Sequence, residues 1–248
     1  MCGFAGEVAF TRAVDPAVAE RMAATMSSRG PDGRGSWTAG RVAMAHRRLK
    51  VIDLTAAGDQ PMVDDELGLT IAFIGCIYNH RDLRRELEHA GYTFFSGSDT
   101  EVILKAYDRW GARCVHRLIG MFAFALCEHR TGRTVLARDR LGIKPMTILR
   151  GVRKIAPATV VTVEPDGETA SDTYWRADFS RQPAHADWTD VDWSREILAA
   201  LRVAVQRRMV ADVPVGVLLS GGLDSSLIVG LLAERGQSGL QTSQIRRS

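Results

Sequence analysis

The spacing of hydrophobic residues predicts a mixed α and β domain over the first part of the chain. Residues 2–10 alternate weakly between apolar and polar positions, which is typical of a strand. A helix is predicted from Asp15-Pro16, because Asp is a favoured N-cap and Pro fits the first helical position. The Gly- and Pro-rich residues 28–35 predict a loop. Further strands are predicted over residues 44–54, 69–73, 121–128, 134–139 and 160–163, and further helices after Asn79 and over Ser98–Gly111, which opens with the capping-box pattern Ser98-Asp-Thr-Glu101.

The pattern changes after residue 170. Residues 171–192 are rich in tryptophan and aspartate, and we interpret them as a linker between a first domain (2–170) and a second one (193–248). The second domain is predicted to contain a helix over 194–209, a short buried strand over 215–219, a turn over 220–226 and a helix over 227–235 that ends at Gly236. Four apolar residues of the first helix are expected to face the core: Ile197, Leu201, Ala204 and Val205. The polar residues 237–248 do not predict a further strand.

The composition is that of an ordinary globular protein. Hydrophobic residues make up 46% of the 248 positions, and the net charge of +3 is too small to indicate nucleic acid or an anionic membrane as a partner. No apolar run reaches the ~18 residues of a membrane span, and the N-terminus lacks the form of a signal peptide, so we expect a cytoplasmic protein. The four cysteines have neither CxxC nor zinc-ligand spacing, which predicts free thiols and no protein-held metal.

Cys2 is a candidate nucleophile because of its place in the chain. If Met1 is removed, Cys2 carries a free α-amino group, and the ordinary pKa of such an amine, ~7.7–8.0, suits it to act as the base for its own thiol. One residue would then supply both nucleophile and base. Taken alone, Met-Cys-Gly favours the simpler interpretation, an ordinary terminal residue.

A second candidate site lies in Ser220-Gly-Gly-Leu-Asp-Ser-Ser226, between a predicted strand and a predicted helix. The glycines let backbone N–H groups surround an anion, and the helix directs the positive end of its dipole there. Ser220 and Ser225 add hydroxyl donors, and Asp224 is suited to orient the loop or to help hold Mg²⁺ on a pyrophosphate. The Walker pattern is absent, so the sequence predicts a phosphate loop of another kind.

Together the two motifs resemble the glutamine-dependent asparagine synthetase family, in which a class II glutaminase domain with an N-terminal nucleophile precedes an ATP-pyrophosphatase synthetase domain. The resemblance extends to about residue 236 and includes Arg29–Asp32, His46–Asp53, Gln60–Met62, Ile77–Asn79, Ser98–Val102, Gly120–Phe124 and Ala137–Pro145. Three segments look most like the N-acetylglutaminylglutamine amidotransferase branch, with ordinary asparagine synthetase as the nearest alternative: Gly75–Asn79, Thr147–Lys154 and Arg208–Pro214. The resemblance implies an α+β fold, an αββα sandwich followed by a truncated doubly wound α/β domain.

The resemblance also implies roles for individual residues. In the glutaminase half, Cys2 is the nucleophile, Gly75 contributes an N–H to the oxyanion hole, Arg48 holds the glutamine α-carboxylate and Asp99 meets its α-ammonium. The same pocket is expected to include Val51, Ile52 and Cys76. The ATP loop is expected to consist of Leu219, Ser220, Gly221, Gly222, Asp224 and Ser225. The implied cofactor is ATP with Mg²⁺, with none for the glutaminase half. The implied partners are glutamine, ATP and a carboxylate acceptor of unknown identity, with no nucleic acid and no membrane; a homodimer stays open.

The chain departs from this family at three places. Ile74 stands where the family has the Asn whose amide completes the oxyanion hole, so only the Gly75 N–H remains. A piece of the glutaminase sheet and its covering helix is missing after Pro145, and the synthetase domain ends early after Gly236. These departures predict weak or undetectable glutaminase activity, residual glutamine binding and no amide formation.

Two other functions stay open from the sequence. One is a non-catalytic remnant that binds glutamine weakly or serves as an interaction surface. The other is a class II transferase that feeds a phosphosugar or phosphoribosyl domain, and the loop over residues 220–225 argues against it, because such acceptor domains need no ATP-pyrophosphatase motif.

Overall fold

The computed structural model describes residues 2–148, 153–180 and 182–234, together with the backbone of 241–244. The chain divides into two compact units, residues 1–176 and 177–248. The first unit contains β1 (Gly3–Val8), α1 (Pro16–Ala24), β2 (Gly33–Ala39), β3 (Val42–Arg48), β4 (Met62–Asp64), β5 (Leu69–Ile77), α2 (His80–His89), α3 (Asp99–Trp110), β6 (Gly120–Glu128), β7 (Thr134–Arg138), β8 (Thr147–Ile148), β9 (Arg153–Lys154), β10 (Thr159–Val163) and β11 (Thr169–Thr173). The second contains α4 (Asp190–Arg208), β12 (Gly216–Leu219), α5 (Leu223–Ala233) and β13 (Gln241–Gln244).

A small antiparallel sheet of three strands, in the order β1-β3-β2, is covered on one face by α1. The helix begins as predicted, with the Asp15 carboxylate accepting a hydrogen bond from Ala17 N at 3.0 Å. Alanines on both elements, Ala19 and Ala23 against Ala43 and Ala45, let the helix lie close to the sheet.

A larger sheet has the order β11-β10-β7-β6-β5-β4. One of its faces packs against α2 and α3, where Phe73 and Ile77 share a core with Leu87 and Ile103. The opposite face contributes Ala72, Ile74 and Ala123, which pack with Val42 and Met44 of the small sheet. The layers are therefore α1, small sheet, large sheet, and α2 with α3, which confirms the predicted αββα sandwich.

Several predicted boundaries of the first unit are wrong. Strand β3 ends at Arg48 instead of residue 54, and β5 continues to Ile77 instead of residue 73. The capping box is incomplete, because the Glu101 carboxylate accepts from Phe95 N and Ser96 N and not from the N-cap backbone. Strand β11 and the buried Tyr174 extend the first unit past residue 170, so the linker predicted from residue 171 does not begin there.

The second unit has a parallel pair of strands. Strand β13 pairs with β12, Gly216 lying opposite Gln241, which corrects the expectation that the polar residues after 237 contain no strand. Two parallel strands on either side of a helix in sequence form the repeating unit of doubly wound α/β folds. Among the described residues, no helix is long and apolar enough to cross a membrane.

The helices of the second unit begin earlier than predicted. Helix α4 starts at Asp190 because Thr189 and Asp192 form a reciprocal capping box, and α5 starts at Leu223. Val205 is buried with Leu231 and Leu232 as expected, with Leu201 packed beside them. Ile197 is 56% exposed and Leu218, in the strand predicted as buried, is 64% exposed, so both of those predictions are wrong. The helix end predicted at Gly236 lies outside the described residues.

Candidate active site

Cys2 lies where the first strand meets the end of β3. Because Gly3 is paired with Arg47, the preceding residue falls beside the chain that leaves β3. The Cys2 Sγ accepts a hydrogen bond from Leu49 N at 3.2 Å and lies 3.5 Å from Leu49 O. The half-buried side chain packs against the cluster between the two sheets that contains Ile74 and Met146.

Arg48 is enclosed by the loop that follows β3. Its side chain is only 5% exposed. Nη1 donates to Thr55 O at 2.7 Å and to Asp59 Oδ1 at 2.6 Å, and Nη2 donates to Ile52 O at 3.4 Å and to Asp53 O. Ile52 therefore contacts the Arg48 guanidinium through its backbone carbonyl, and the preceding residue, Val51, is half-buried.

The Asp53 carboxylate holds this loop in place. It accepts hydrogen bonds from Thr55 N at 3.0 Å, from Thr55 Oγ1 at 2.6 Å and from Gly97 N at 2.7 Å. Burial acts to raise the pKa of Asp53, but these hydrogen bonds and the Arg48 guanidinium outweigh it and lower the pKa. The carboxylate thus stays ionised and ties the loop to the residues just before α3.

Asp99 lies at the first position of α3, buried beside the end of β5. Its Oδ2 accepts a hydrogen bond from Ile77 N at 2.9 Å. Burial raises its pKa to about 6, against the opposing effects of the Ile77 hydrogen bond and the Arg48 charge. A carboxylate in this position changes its charge close to neutral pH.

The middle of β5 carries the residues predicted for the oxyanion hole. Ile74 is 6% exposed and belongs to the apolar cluster against which Cys2 packs. Gly75 has φ +152°, and a Cβ there would collide with Met121 O on the neighbouring strand, so only glycine fits. Cys76 is buried, and burial together with the Asp99 charge raises the pKa of its thiol to about 12. Cys76 is therefore a poor thiolate nucleophile at neutral pH.

Two residues beside the site were missed by sequence reasoning. Lys144 is buried, and its pKa is lowered by burial while the neighbouring Cys2 thiol opposes this effect. Its backbone N–H donates to Asp139 Oδ2, which also accepts from Phe122 N, the residue opposite Gly75. Lys144 belongs to the segment Ala137–Pro145, which supports the family resemblance but does not by itself indicate a role for this lysine in the site.

His46 is the second residue that was missed. It is 1% exposed, its Nε2 lies 3.1 Å from Phe73 O, and its buried Nδ1 has no hydrogen-bond partner within the part of the chain that the structure describes. Burial lowers the pKa of His46 to about 4, so the ring is neutral at physiological pH.

The predicted phosphate loop is a compact turn in the second unit. The Ser220 and Ser225 hydroxyls are 3.1 Å apart, Ser220 N donates to Ser225 Oγ at 3.3 Å, and Ser225 Oγ donates to Gly222 O at 3.1 Å. Gly221 has φ +78°, a conformation that favours glycine. Asp224 is exposed in the first turn of α5, and Leu219 ends β12 just before the turn.

Two surface cavities lie apart from Cys2, although His46 lines one of them. One, of about 580 Å³, lies between α1 and the outer face of the small sheet, and the other, of about 300 Å³, lies beside Trp37 and His129. Neither is lined by Cys2, Arg48 or Asp99. The candidate site therefore rests on its polar residues and not on cavity size.

Comparisons with known proteins place the chain among glutamine-hydrolysing enzymes by sequence. The chain is 33% identical to asparagine synthetase [glutamine-hydrolyzing] 3 of Bacillus subtilis over 99% of its own length and 48% of that protein. It is 38% identical to asparagine synthetase B of Escherichia coli over 82% of its length and 39% of that protein. The chain thus spans less than half the length of either relative.

A solved structure shows the same fold at low sequence identity. Glutamine phosphoribosylpyrophosphate amidotransferase of Bacillus subtilis, complexed with ADP and GMP, matches all of this chain and 69% of its own with a TM-score of 0.59 and 18% identity. The model of the asparagine synthase family matches residues 196–247, and that of the glutamine amidotransferase domain matches residues 1–150. The chain therefore belongs to the glutamine amidotransferase family, and its homologues are asparagine synthetases.

Proposed function

We propose that the first unit hydrolyses glutamine to glutamate and ammonia, with Cys2 as the nucleophile. The observation that carries the proposal is the position of the Cys2 thiol, which hydrogen-bonds to the backbone of Leu49, the residue directly after Arg48. A nucleophile and a guanidinium on adjoining backbone are suited to hold a small amino acid between them. Loss of Met1 would leave the α-amine of Cys2 as the base.

The proposed chemistry proceeds through a thioester. The Cys2 sulfur attacks the side-chain amide carbon of glutamine, and the carbonyl oxygen takes up the electron pair. Collapse of this tetrahedral intermediate breaks the C–N bond, and the proton from the thiol passes through the α-amine to the leaving ammonia. Water then attacks the thioester, the C–S bond breaks, and glutamate and the thiol are released.

Substrate recognition is proposed to use two charged groups, the Arg48 guanidinium and the Asp99 carboxylate. The Arg48 guanidinium matches the planar α-carboxylate, and the Asp99 carboxylate matches the α-ammonium. Val51, Ile52 and Cys76 are proposed to line the pocket, and Gly75 N–H to donate to the oxyanion. Ile74 offers no side-chain donor, so we propose that turnover is slow and that binding is less affected.

The second unit is proposed to correspond to the part of an asparagine synthetase that uses ATP to activate a carboxylate acceptor, which ammonia then converts to an amide. This chain itself is proposed not to complete that amide formation. The residues proposed to surround the pyrophosphate are Leu219, Ser220, Gly221, Gly222, Asp224 and Ser225. The exposed Asp224 carboxylate offers the oxygen ligands that Mg²⁺ prefers. The acceptor proposed from the segments Gly75–Asn79, Thr147–Lys154 and Arg208–Pro214 is the N-acetylglutaminylglutamine precursor, in a cytoplasmic and homodimeric protein. Aspartate, the acceptor of an asparagine synthase, is the alternative.

The proposal is tested by labelling with a diazoketone analogue of glutamine, followed by peptide mass spectrometry and an assay for released ammonia. We expect modification at Cys2, prevented by excess glutamine and unchanged in the Cys114→Ser control. Preferential modification of Cys76, Cys114 or Cys127 would contradict the assignment, because all three are buried and burial raises the pKa of each thiol. A folded protein with neither labelling nor ammonia release would favour the non-catalytic remnant.

A further inference from the structure

The hydrogen-bonding capacity of the Arg48 guanidinium is almost fully used within the chain. An arginine has five N–H donors, four of them on the two terminal nitrogens. Nη1 donates to Thr55 O and Asp59 Oδ1, and Nη2 donates to Ile52 O and Asp53 O. Four acceptors therefore face the four terminal N–H groups, so a carboxylate that binds both terminal nitrogens has to displace at least one of these acceptors.

Asp59 differs from the other three partners of Arg48. Those three are backbone carbonyls of a loop that the Asp53 carboxylate ties to Gly97. Gly58 packs so closely on the guanidinium that a Cβ there would collide with Nη2. Asp59 contributes a side chain instead, and that side chain is 51% exposed while the Arg48 side chain is 5% exposed. It is the partner that can leave by rotation into solvent without moving the loop backbone.

We propose that Asp59 is an internal competitor of the substrate, a carboxylate bound to Arg48 that the α-carboxylate of glutamine must displace. This inference rests on the proposed function of the first unit. In the exchange one Arg–carboxylate contact is broken and another is formed, so the buried guanidinium is never left without a counter-ion. The displaced Asp59 carboxylate regains water, which an exposed side chain does at little cost.

Only a ligand with an α-carboxylate takes part in this exchange. A ligand with the same amide but no α-carboxylate has no anionic group that could replace the Asp59 carboxylate at Arg48. Such a ligand leaves the internal pair intact, and its affinity does not depend on Asp59. The internal carboxylate thereby weakens the binding of every α-amino acid by a common factor and leaves the affinity of amides without an α-carboxylate unchanged.

The test is the affinity of wild-type protein and of Asp59→Asn for two ligands, measured by isothermal titration calorimetry. The ligands are glutamine and glutaminol, in which an alcohol replaces the α-carboxylate. We expect Asp59→Asn and Asp59→Ala to bind glutamine about tenfold more tightly, because a charge-assisted contact no longer has to be broken. Glutaminol affinity should stay within about twofold in all of them. Asp65→Asn removes one negative charge from an exposed loop position and serves as the matched control, with no expected change.

The possible outcomes separate this inference from the function on which it rests. Unchanged or weaker glutamine binding in both Asp59 variants, with circular dichroism showing a folded protein, overturns it and makes Asp59 an organiser of Arg48. An equal gain for glutaminol also overturns it, because the effect would not depend on the α-carboxylate. Failure of wild type and variants alike to bind glutamine overturns the proposed function itself.

Discussion

Replacing Ile74 by Asn should raise the rate of glutamine hydrolysis while lowering the stability of the fold. The proposed intermediate carries developing negative charge on one oxygen, and Gly75 N–H is the single donor proposed to meet it. One additional oxyanion-hole donor contributes about 10²–10³ in turnover, or roughly 2.7–4 kcal/mol of barrier. An amide at position 74 is placed to supply that donor, since Ile74 packs in the cluster that Cys2 touches.

The cost of this substitution follows from the burial of Ile74. The side chain is 6% exposed and packs among Met44, Ala123 and Met146. Asn removes part of this apolar contact and buries an amide, which together should lower the free energy of unfolding by about 2–4 kcal/mol. Activity must therefore be compared at a temperature where both proteins are folded.

The assay is ammonia release from glutamine under saturating conditions, beside a denaturant titration for stability. The control is Ile74→Leu, which keeps the volume and adds no donor, and which should leave turnover unchanged within about twofold. If folded Ile74→Asn hydrolyses glutamine no faster than wild type, position 74 is not part of the oxyanion hole. Rapid hydrolysis by the unmodified protein would also refute the reasoning, because it would show that turnover does not require a second oxyanion-hole donor.

Three further predictions concern single residues. Glutamine affinity should fall about tenfold per pH unit below about pH 6, as Asp99 is protonated, and calorimetry of Asp99→Asn should show weak binding with no such slope. Gly75→Ala should lower the free energy of unfolding by about 2–6 kcal/mol in a urea titration, because of the collision with Met121 O and the φ of +152°; an unchanged midpoint would contradict the packing described. The folded-state pKa of His46, about 4, lies below its ordinary value of 6.5, so its contribution to stability is complete above pH 6.5 and is lost as the pH falls towards 4. In His46→Gln that part of the acid destabilisation should disappear, and an identical pH profile would show that the ring titrates normally.

Sequence reasoning succeeded where a local signal decides the structure. Asp15 caps α1, the hairpin of β6 and β7 lies where the alternation predicted it, and α3 ends before Gly111. It failed where contacts between residues far apart in the sequence determine the structure. Strand β13 is polar and has no periodicity, and its strand conformation comes with parallel pairing to β12. Ile197 fits the helical period but lies on an exposed side of α4.

The same distinction applies to the candidate site. Residue type and motif selected Cys2, Arg48 and Asp99, because a thiol, a guanidinium and a carboxylate are what the chemistry requires. No pattern could indicate that Asp59 binds Arg48, since that contact depends on the path of a loop of non-regular backbone. Nor could a pattern reveal that the buried Nδ1 of His46 lacks a hydrogen-bond partner among the described residues.

The internal partner of Arg48 bears on product release as well as on substrate binding. Glutamate keeps the α-carboxylate of glutamine, so the contact with Arg48 is the same for substrate and product. This contact by itself therefore does not favour release of glutamate after hydrolysis. With Asp59 within reach, the departing carboxylate is replaced by another at 2.6 Å, and the buried guanidinium passes through no uncompensated state. A faster exchange of glutamate is therefore expected in wild type than in Asp59→Asn, where departure leaves Arg48 with a neutral partner. The residue that weakens substrate binding is on this argument the same one that speeds release of the product, and the two effects should change together when it is replaced.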